Sequence, residues 1–331
     1  MSKEKIVRCL VLGGAGFIGA DLVERLLDEG YVVRVFDKKQ SPFLATLLSK
    51  GDIECIHGDF RDKGLLSNAI QGCDIAFHLI GSTLPKTSND DPLADIESNL
   101  MGTVQLLELA RYSGLKRIIF MSSGGTVYGE STQVPIDEDH PANPITSYGI
   151  VKLAIEKYLE LYRHLYGLEY VVLRASNVYG ERQMATATQG AVAAFIQQAR
   201  NGEPIEIWGD GSAVRDYIHV SDVVDALIRS ARYTGRSAIL NIGSGHGTRI
   251  DELVGIIEVI TGKTAVRKRG GARVFDVRSN ILACDRAYVE LGWLSKISLR
   301  EGIGKIHRSF ETQSLVGEIG ELKGFSRHDF R

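Results

Sequence analysis

Arg8-Cys9-Leu10-Val11-Leu12-Gly13-Gly14-Ala15-Gly16-Phe17-Ile18-Gly19 is the stretch on which the fold of this 331-residue chain turns. The apolar, partly β-branched run 6–12 predicts a strand. Glycines at 13, 16 and 19 end it, and a helix-forming stretch follows. Glycine in this spacing permits a tight turn and close backbone approach, and the N-terminus of the following helix offers free N–H groups to a pyrophosphate. Gly13, Gly16, Phe17, Ile18 and Gly19 are therefore expected to bind a dinucleotide. Asp37 ends the next predicted strand, 18 residues after Gly19. A carboxylate there accepts hydrogen bonds from an adenosine ribose and repels a 2′-phosphate, favouring NAD. Lys38 and Lys39 beside it pull the other way, since they could meet a phosphate.

Working outward, runs 6–12, 31–37, 53–57, 75–79, 117–122 and 169–174 read as strands separated by helical patterns. Such alternation predicts an α/β, Rossmann-type doubly wound parallel sheet covered by helices on both faces. Ligands in these sheets bind at the carboxyl ends of the strands, so the loops after those ends are where chemistry belongs. Two helices are expected near that edge, 92–112 and 147–166. Beyond residue 174 the alternation loosens, with a further helix at 191–201. The expected organisation is a cofactor-binding domain over 1–175, a smaller α/β substrate domain over 176–313 partly interleaved with it, and a polar tail over 314–331.

Composition narrows the function. Hydrophobic residues make up 44% of the chain, enough for a large core, and 39 basic residues nearly cancel 41 acidic ones. Nothing in that balance calls for nucleic acid or a membrane surface as partner. No run is long enough to span a bilayer and the N-terminus lacks the pattern of a secretory signal. Cys9, Cys55, Cys73 and Cys284 are scattered without metal-ligand spacing. They read as reduced thiols of a cytoplasmic protein that uses no metal.

Tyr148-Gly149-Ile150-Val151-Lys152 places a phenol and an ammonium four residues apart, on one helix face. A nearby ammonium favours the phenolate, which makes Tyr148 an expected acid/base. Tyr158 and Tyr162, in the same helix, have no lysine four residues on. The strand 117–122 runs into Ser122-Ser123-Gly124-Gly125-Thr126-Val127-Tyr128-Gly129, whose hydroxyls could bond a sugar oxygen at the sheet's carboxyl edge.

Together these features resemble the extended short-chain dehydrogenase/reductases, and within them the NAD-dependent epimerase/dehydratase branch, over the chain from the glycine loop to near Trp293. By that resemblance Asp59 and Phe60 would contact adenine, Leu79-Ile80-Gly81 would form the fourth-strand cofactor loop, and Asn99, Ser122 and Ser176 would also face the cofactor. Trp208-Gly209-Asp210-Gly211 and Arg215-Asp216-Tyr217-Ile218-His219 resemble the family's nucleotide-sugar signature. Arg215, with Arg273, would hold the substrate diphosphate, and Thr83, Asn177 and Trp208 would complete the substrate site. Planar guanidinium groups suit that task, because they grip phosphate oxygens through paired hydrogen bonds. The resemblance further implies a homodimer packed through 92–112 and 147–166.

One departure is informative. Family 4-epimerases carry a serine or threonine where this chain has Gly124, so Ser123 or Thr126 would have to supply the hydroxyl, Thr126 being preferred. Related 4,6-dehydratases carry an acidic pair where this chain has Gly125 and Thr126. Without a positioned acid and base, elimination lacks its proton relay. The expected activity is thus 4-epimerisation of a nucleotide-diphosphate sugar, a UDP-hexose, as in UDP-glucose 4-epimerases, with Tyr148, Lys152, Thr126 and Ser123 carrying the chemistry. A dehydratase, decarboxylase or reductase of the same family is the enzymatic alternative. A non-catalytic NAD-sensing protein is the alternative of another class.

Overall fold

The computed structural model describes residues 7–83, 85–131, 133–183, 190–235, 238–271 and 277–322. Its strands are β1 (Arg8–Leu12), β2 (Val32–Asp37), β3 (Ile53–His57), β4 (Ile75–His78), β5 (Arg117–Ser123), β6 (Glu169–Ala175), β7 (Asn177–Tyr179), β8 (Ile205–Trp208), β9 (Val214–His219), β10 (Ala238–Ile242), β11 (Gly247–Arg249), β12 (Arg267–Gly270) and β13 (Ser279–Asn280). The main sheet has seven strands in the order β10-β6-β5-β4-β1-β2-β3, every pairing parallel. The Rossmann-type doubly wound α/β class expected from the alternation is therefore correct.

Period-two patterning explains why these runs form buried strands. In β1, Cys9 and Val11 join one core cluster while Leu10 and Leu12 join the other. The first cluster is closed by α1 (Phe17–Asp28), α2 (Pro42–Lys50) and α9 (Val220–Arg232), and the second by α3 (Lys63–Ile70), α6 (Gly102–Ser113) and α7 (Ser147–Tyr166). Apolar side chains on both faces of each strand leave only the strand ends for polar chemistry.

Two features of the main sheet and its helices depart from the sequence reading. The seventh strand, β10, comes from residues far beyond the sixth and pairs with β6, Leu240 beside Leu173. Its five residues, Ala-Ile-Leu-Asn-Ile, lie beyond the regular alternation, and nothing local in them says which sheet they join. The helix expected over 92–112 is broken into α5 (Pro92–Asp95), a π-helical turn (Ile96–Met101) and α6. Hydrophobic periodicity does not distinguish a π-turn from an α-turn, so nothing in the pattern marks it.

The remaining strands form a small sheet, β11-β9-β13 with β7 alongside β9, and a parallel pair, β8 with β12. A third core cluster lies among α8 (Ala191–Asn201), α10 (Ile250–Thr261) and α12 (Leu299–Leu322). Helix α12 thus extends into the stretch read as a tail. Short helices α4 (Pro85–Asp90) and α11 (Asp285–Leu291) complete the set. Among the described residues no helix is long and apolar enough to cross a membrane.

Candidate active site

Strand β1 has β2 on one side and β4 on the other, so chain direction through the sheet reverses there and a crevice opens above its carboxyl end. Gly13 sits at φ 91°, a conformation that disfavours side chains. A Cβ on Gly19 would come within 2.1 Å of the Gly13 carbonyl oxygen, so helix and turn close up only on glycine. Helix α1 starts at Phe17 with no side chain capping its first turn. These N–H groups, with the positive end of the helix dipole, suit a diphosphate. Asp37 ends β2 beside this loop and accepts hydrogen bonds from the Ala15 N–H at 2.9 Å and the Lys39 N–H at 2.8 Å. The carboxylate is 8% exposed and stands at the loop rather than out in solvent.

Across the crevice, a Cβ on Gly13 would lie 3.2 Å from the Ile80 nitrogen, so the loop containing Leu79, Ile80 and Gly81 is packed directly against the glycine turn. Gly81 in turn abuts Lys152, its would-be Cβ 3.9 Å from Nζ. Ser176 pairs through its N–H with the Ile242 carbonyl, and its buried hydroxyl has no protein partner among the described residues. The residues expected to hold NAD thus fit it: an uncapped helix start, a close backbone turn, a carboxylate at the second strand end and a buried hydroxyl left for a ligand.

Helix α7 begins where it does because Thr146 caps it, accepting the Gly149 N–H at 3.1 Å. Gly149 is required at that position, since a Cβ there would come 2.8 Å from the Thr126 carbonyl. This close approach brings the β5 loop, with Ser123 and Thr126, against the turn bearing Tyr148. Further along the helix, Lys152 is buried, donates to the Met121 carbonyl at 2.8 Å and holds Nζ 5.5 Å from the Tyr148 ring centre. Burial pushes the ammonium down to about 8, against the opposing pull of Asp95 and Glu156. Burial also pushes the Tyr148 phenol up to about 12, with the Asp95 charge adding to the rise. The lowering expected from Lys152 is thus not what governs the phenol in the chain alone: burial and the Asp95 charge both act to raise it.

Several expected residues are committed to the protein itself. The Ser122 hydroxyl donates to Glu156 at 2.5 Å, inside a buried network in which Arg174 pairs with Glu156 at 2.6 Å. Phe60 is core, lying against Gly102 and 5.1 Å from the His78 ring. Asp59 is held by Arg61 through two hydrogen bonds at 2.9 Å, which keep its carboxyl well below the usual range. Asn99, in the π-turn, accepts the Ser82 N–H at 3.0 Å and donates to Thr83 at 3.1 Å.

On the substrate side, β9 places Arg215 opposite Asn280 of β13 and Tyr217 opposite Asn177 of β7. Asn177 donates to the Asp216 carbonyl at 3.1 Å. Trp208 stands at the end of β8, 41% exposed, against Gly270. Arg273 lies outside the described residues. Gly124 is tightly enclosed: a Cβ there would lie 2.6 Å from Leu282 Cδ1 and 3.0 Å from the Arg174 carbonyl, and Asn280 donates to its carbonyl at 3.0 Å. The absent hydroxyl is thus excluded by packing. Ser88, Asp95, Ser147 and Glu156 were not anticipated. Their one signal is a polar residue on the inward face of an amphipathic helix.

Comparison with known proteins agrees with this geometry. Residues 9–243 match the family model described as the NAD dependent epimerase/dehydratase family. The chain is 38% identical to a UDP-glucose 4-epimerase of Mycolicibacterium smegmatis, over 93% of this chain and all of the relative. Its structure is similar to that of the UDP-glucose 4-epimerase of Thermotoga maritima solved with UDP-glucose (TM-score 0.88, 36% identity, 93% of this chain and 100% of that one). It is also similar to the Thermus thermophilus UDP-glucose 4-epimerase complex with NAD (TM-score 0.85, 33% identity, 92% and 99%). With a glycine turn at the sheet's switch point and a tyrosine and lysine on one helix beside the fifth strand, the chain belongs to the NAD-dependent epimerase/dehydratase family.

Proposed function

We propose that this protein is an NAD-dependent 4-epimerase of a nucleotide-diphosphate sugar, a UDP-hexose, working through a 4-keto sugar. The observation that carries this reading is the placing of Tyr148 and Lys152 on one face of α7, beside the β5 loop and the cofactor crevice. When bound in this crevice, NAD would supply a reversible hydride acceptor for the sugar C4, which would leave no net redox change. The chain's own residues supply the rest. Tyr148 takes the proton of the sugar 4-hydroxyl and gives it back. Lys152 holds the nicotinamide ribose and, charged, favours the phenolate. Thr126, or Ser123, provides the hydroxyl that Gly124 lacks. Arg215 and Arg273 grip the diphosphate, while Thr83, Asn177 and Trp208 bound the sugar side loosely enough for the 4-keto ring to turn and present its other face.

The protein is read as a cytoplasmic homodimer. Tyr158, Leu161 and Leu165 are 37%, 43% and 54% exposed on α7 at helical spacing, and Met101, just before α6, and Tyr112, in its last turn, are 60% and 79% exposed. Such an apolar strip suits a partner helix pair. All four cysteines are free, in keeping with a reducing compartment.

The test is to incubate the purified protein separately with UDP-glucose, UDP-N-acetylglucosamine and UDP-glucuronic acid, following C4 configuration by NMR and product mass by mass spectrometry. A C4 epimer of unchanged mass, lost in Tyr148→Phe, is expected. Loss of water or carbon dioxide would replace the epimerase reading with dehydratase or decarboxylase activity, and full activity in Tyr148→Phe would remove the proton-transfer role.

A further inference from the structure

Asp95 closes α5 and is fully buried, yet none of the roles above uses it. Three side chains converge on its carboxylate. Thr83 Oγ1 donates to Oδ1 at 2.7 Å, Asn99 Nδ2 donates to the same oxygen at 2.8 Å, and Ser147 Oγ donates to Oδ2 at 2.7 Å. These donors come from the loop after β4, from the π-turn and from the first residue of α7. A buried carboxylate is costly unless well hydrogen-bonded, and here the three donors are neutral, so they solvate the charge without cancelling it. The next residue after Ser147 is Tyr148, whose own N–H is held by Ser88 of α4 at 3.0 Å.

We propose that Asp95 is a positioning residue for the epimerisation inferred above: its carboxylate ties the Thr83 loop, the Asn99 turn and the start of α7 into one unit, and its charge sets the electrostatic environment of Tyr148 and Lys152. This deepens the proposed function and rests on it. A carboxylate on its own would suit a simple staple between helices. What distinguishes Asp95 is that its three partners include two expected ligand-facing residues, Thr83 and Asn99, and the neighbour of the expected acid/base.

The charge has a definite sign. A negative group favours both the neutral phenol and the charged ammonium, and Asp95 raises both. The other ionisable groups facing this pair are Glu156 of α7, which also favours the ammonium, and His78 of β4, which burial keeps neutral. Asp90 of α4 and Glu97 of the π-turn are exposed, and Glu108 of α6 is bonded to Tyr162.

The experiment measures kcat and kcat/KM across pH for the NAD-loaded, full-length enzyme, using whichever UDP-sugar the wild type epimerises. Asp95→Asn keeps the shape and removes the charge, so both limbs of the profile are expected to move to lower pH by about 1 unit. Ser147→Ala keeps the charge and removes one tether, so kcat is expected to fall about tenfold with the limbs unmoved. A uniform loss of activity in Asp95→Asn, with an unshifted profile, would overturn the proposal. If Asp95→Asn is not recovered folded, Ser147→Ala and Thr83→Val decide: kcat within twofold of wild type in both would overturn it. Failure of the underlying reading would show separately, as absent wild-type epimerisation or as full activity in Tyr148→Phe.

Discussion

Gly124→Ser would restore the hydroxyl that related 4-epimerases carry at the end of the fifth strand, and the structure predicts that the protein would be harmed by it. The added Cβ would lie 2.6 Å from Leu282 Cδ1. That is about 1 Å short of the roughly 3.5–4.0 Å at which carbon atoms pack. Leu282 cannot swing clear, because it is fully buried among Val127, Tyr128 and Ile136. On the other side the Arg174 carbonyl stands 3.0 Å away, fixed by the pairing of β6 with its neighbours. Overpacking of this kind costs about 1–3 kcal/mol. Urea denaturation should therefore show a lowered midpoint with an unchanged slope, and epimerisation should not rise above wild type. Shortening the opposing side chain makes room, so Gly124→Ser and Leu282→Val should couple, the double variant being more stable than the sum of the singles by about 0.5–2 kcal/mol. If Gly124→Ser is as stable as wild type, or if the two changes add without coupling, packing is not what holds glycine at this position.

Three other outcomes follow from the same geometry. Arg215→Lys exchanges a planar fork for a point charge, so KM for the UDP-sugar should rise about tenfold while kcat stays within a few-fold, as steady-state kinetics would show. Burial pushes the His78 imidazole down to about 3, while the unfolded chain binds its proton near 6.5. Between those values the unfolded state holds more protons, so stability present above pH 6.5 is lost as pH falls, by up to about 1.4 kcal/mol per unit from this residue. His78→Gln should flatten that part of a stability-versus-pH curve, and an unchanged slope would show that another group is responsible. Leu161→Glu places a charge on the exposed apolar strip of α7 and should convert a dimer to monomer in sedimentation velocity without lowering the monomer's melting midpoint by more than about 2 °C.

Much of this protein was written in its local sequence. The strands β1 to β6 could be read because each is a short apolar run bounded by turn residues, and the glycine turn because glycine alone tolerates the φ of 91° and the close helix approach found there. The pairing of Tyr148 with Lys152 is set by helical period alone. What the sequence left open depends on contacts between distant segments. β10 joins the first sheet only because its five residues find β6, a pairing with no local code. Gly124 is explained by Leu282, more than 150 residues away, and the phenol of Tyr148 is governed by burial and by Asp95, on a different helix. Local propensity fixes which residues can form an element, whereas desolvation, steric fit and charge proximity exist only once those elements are packed, and in this protein they decide how the site works.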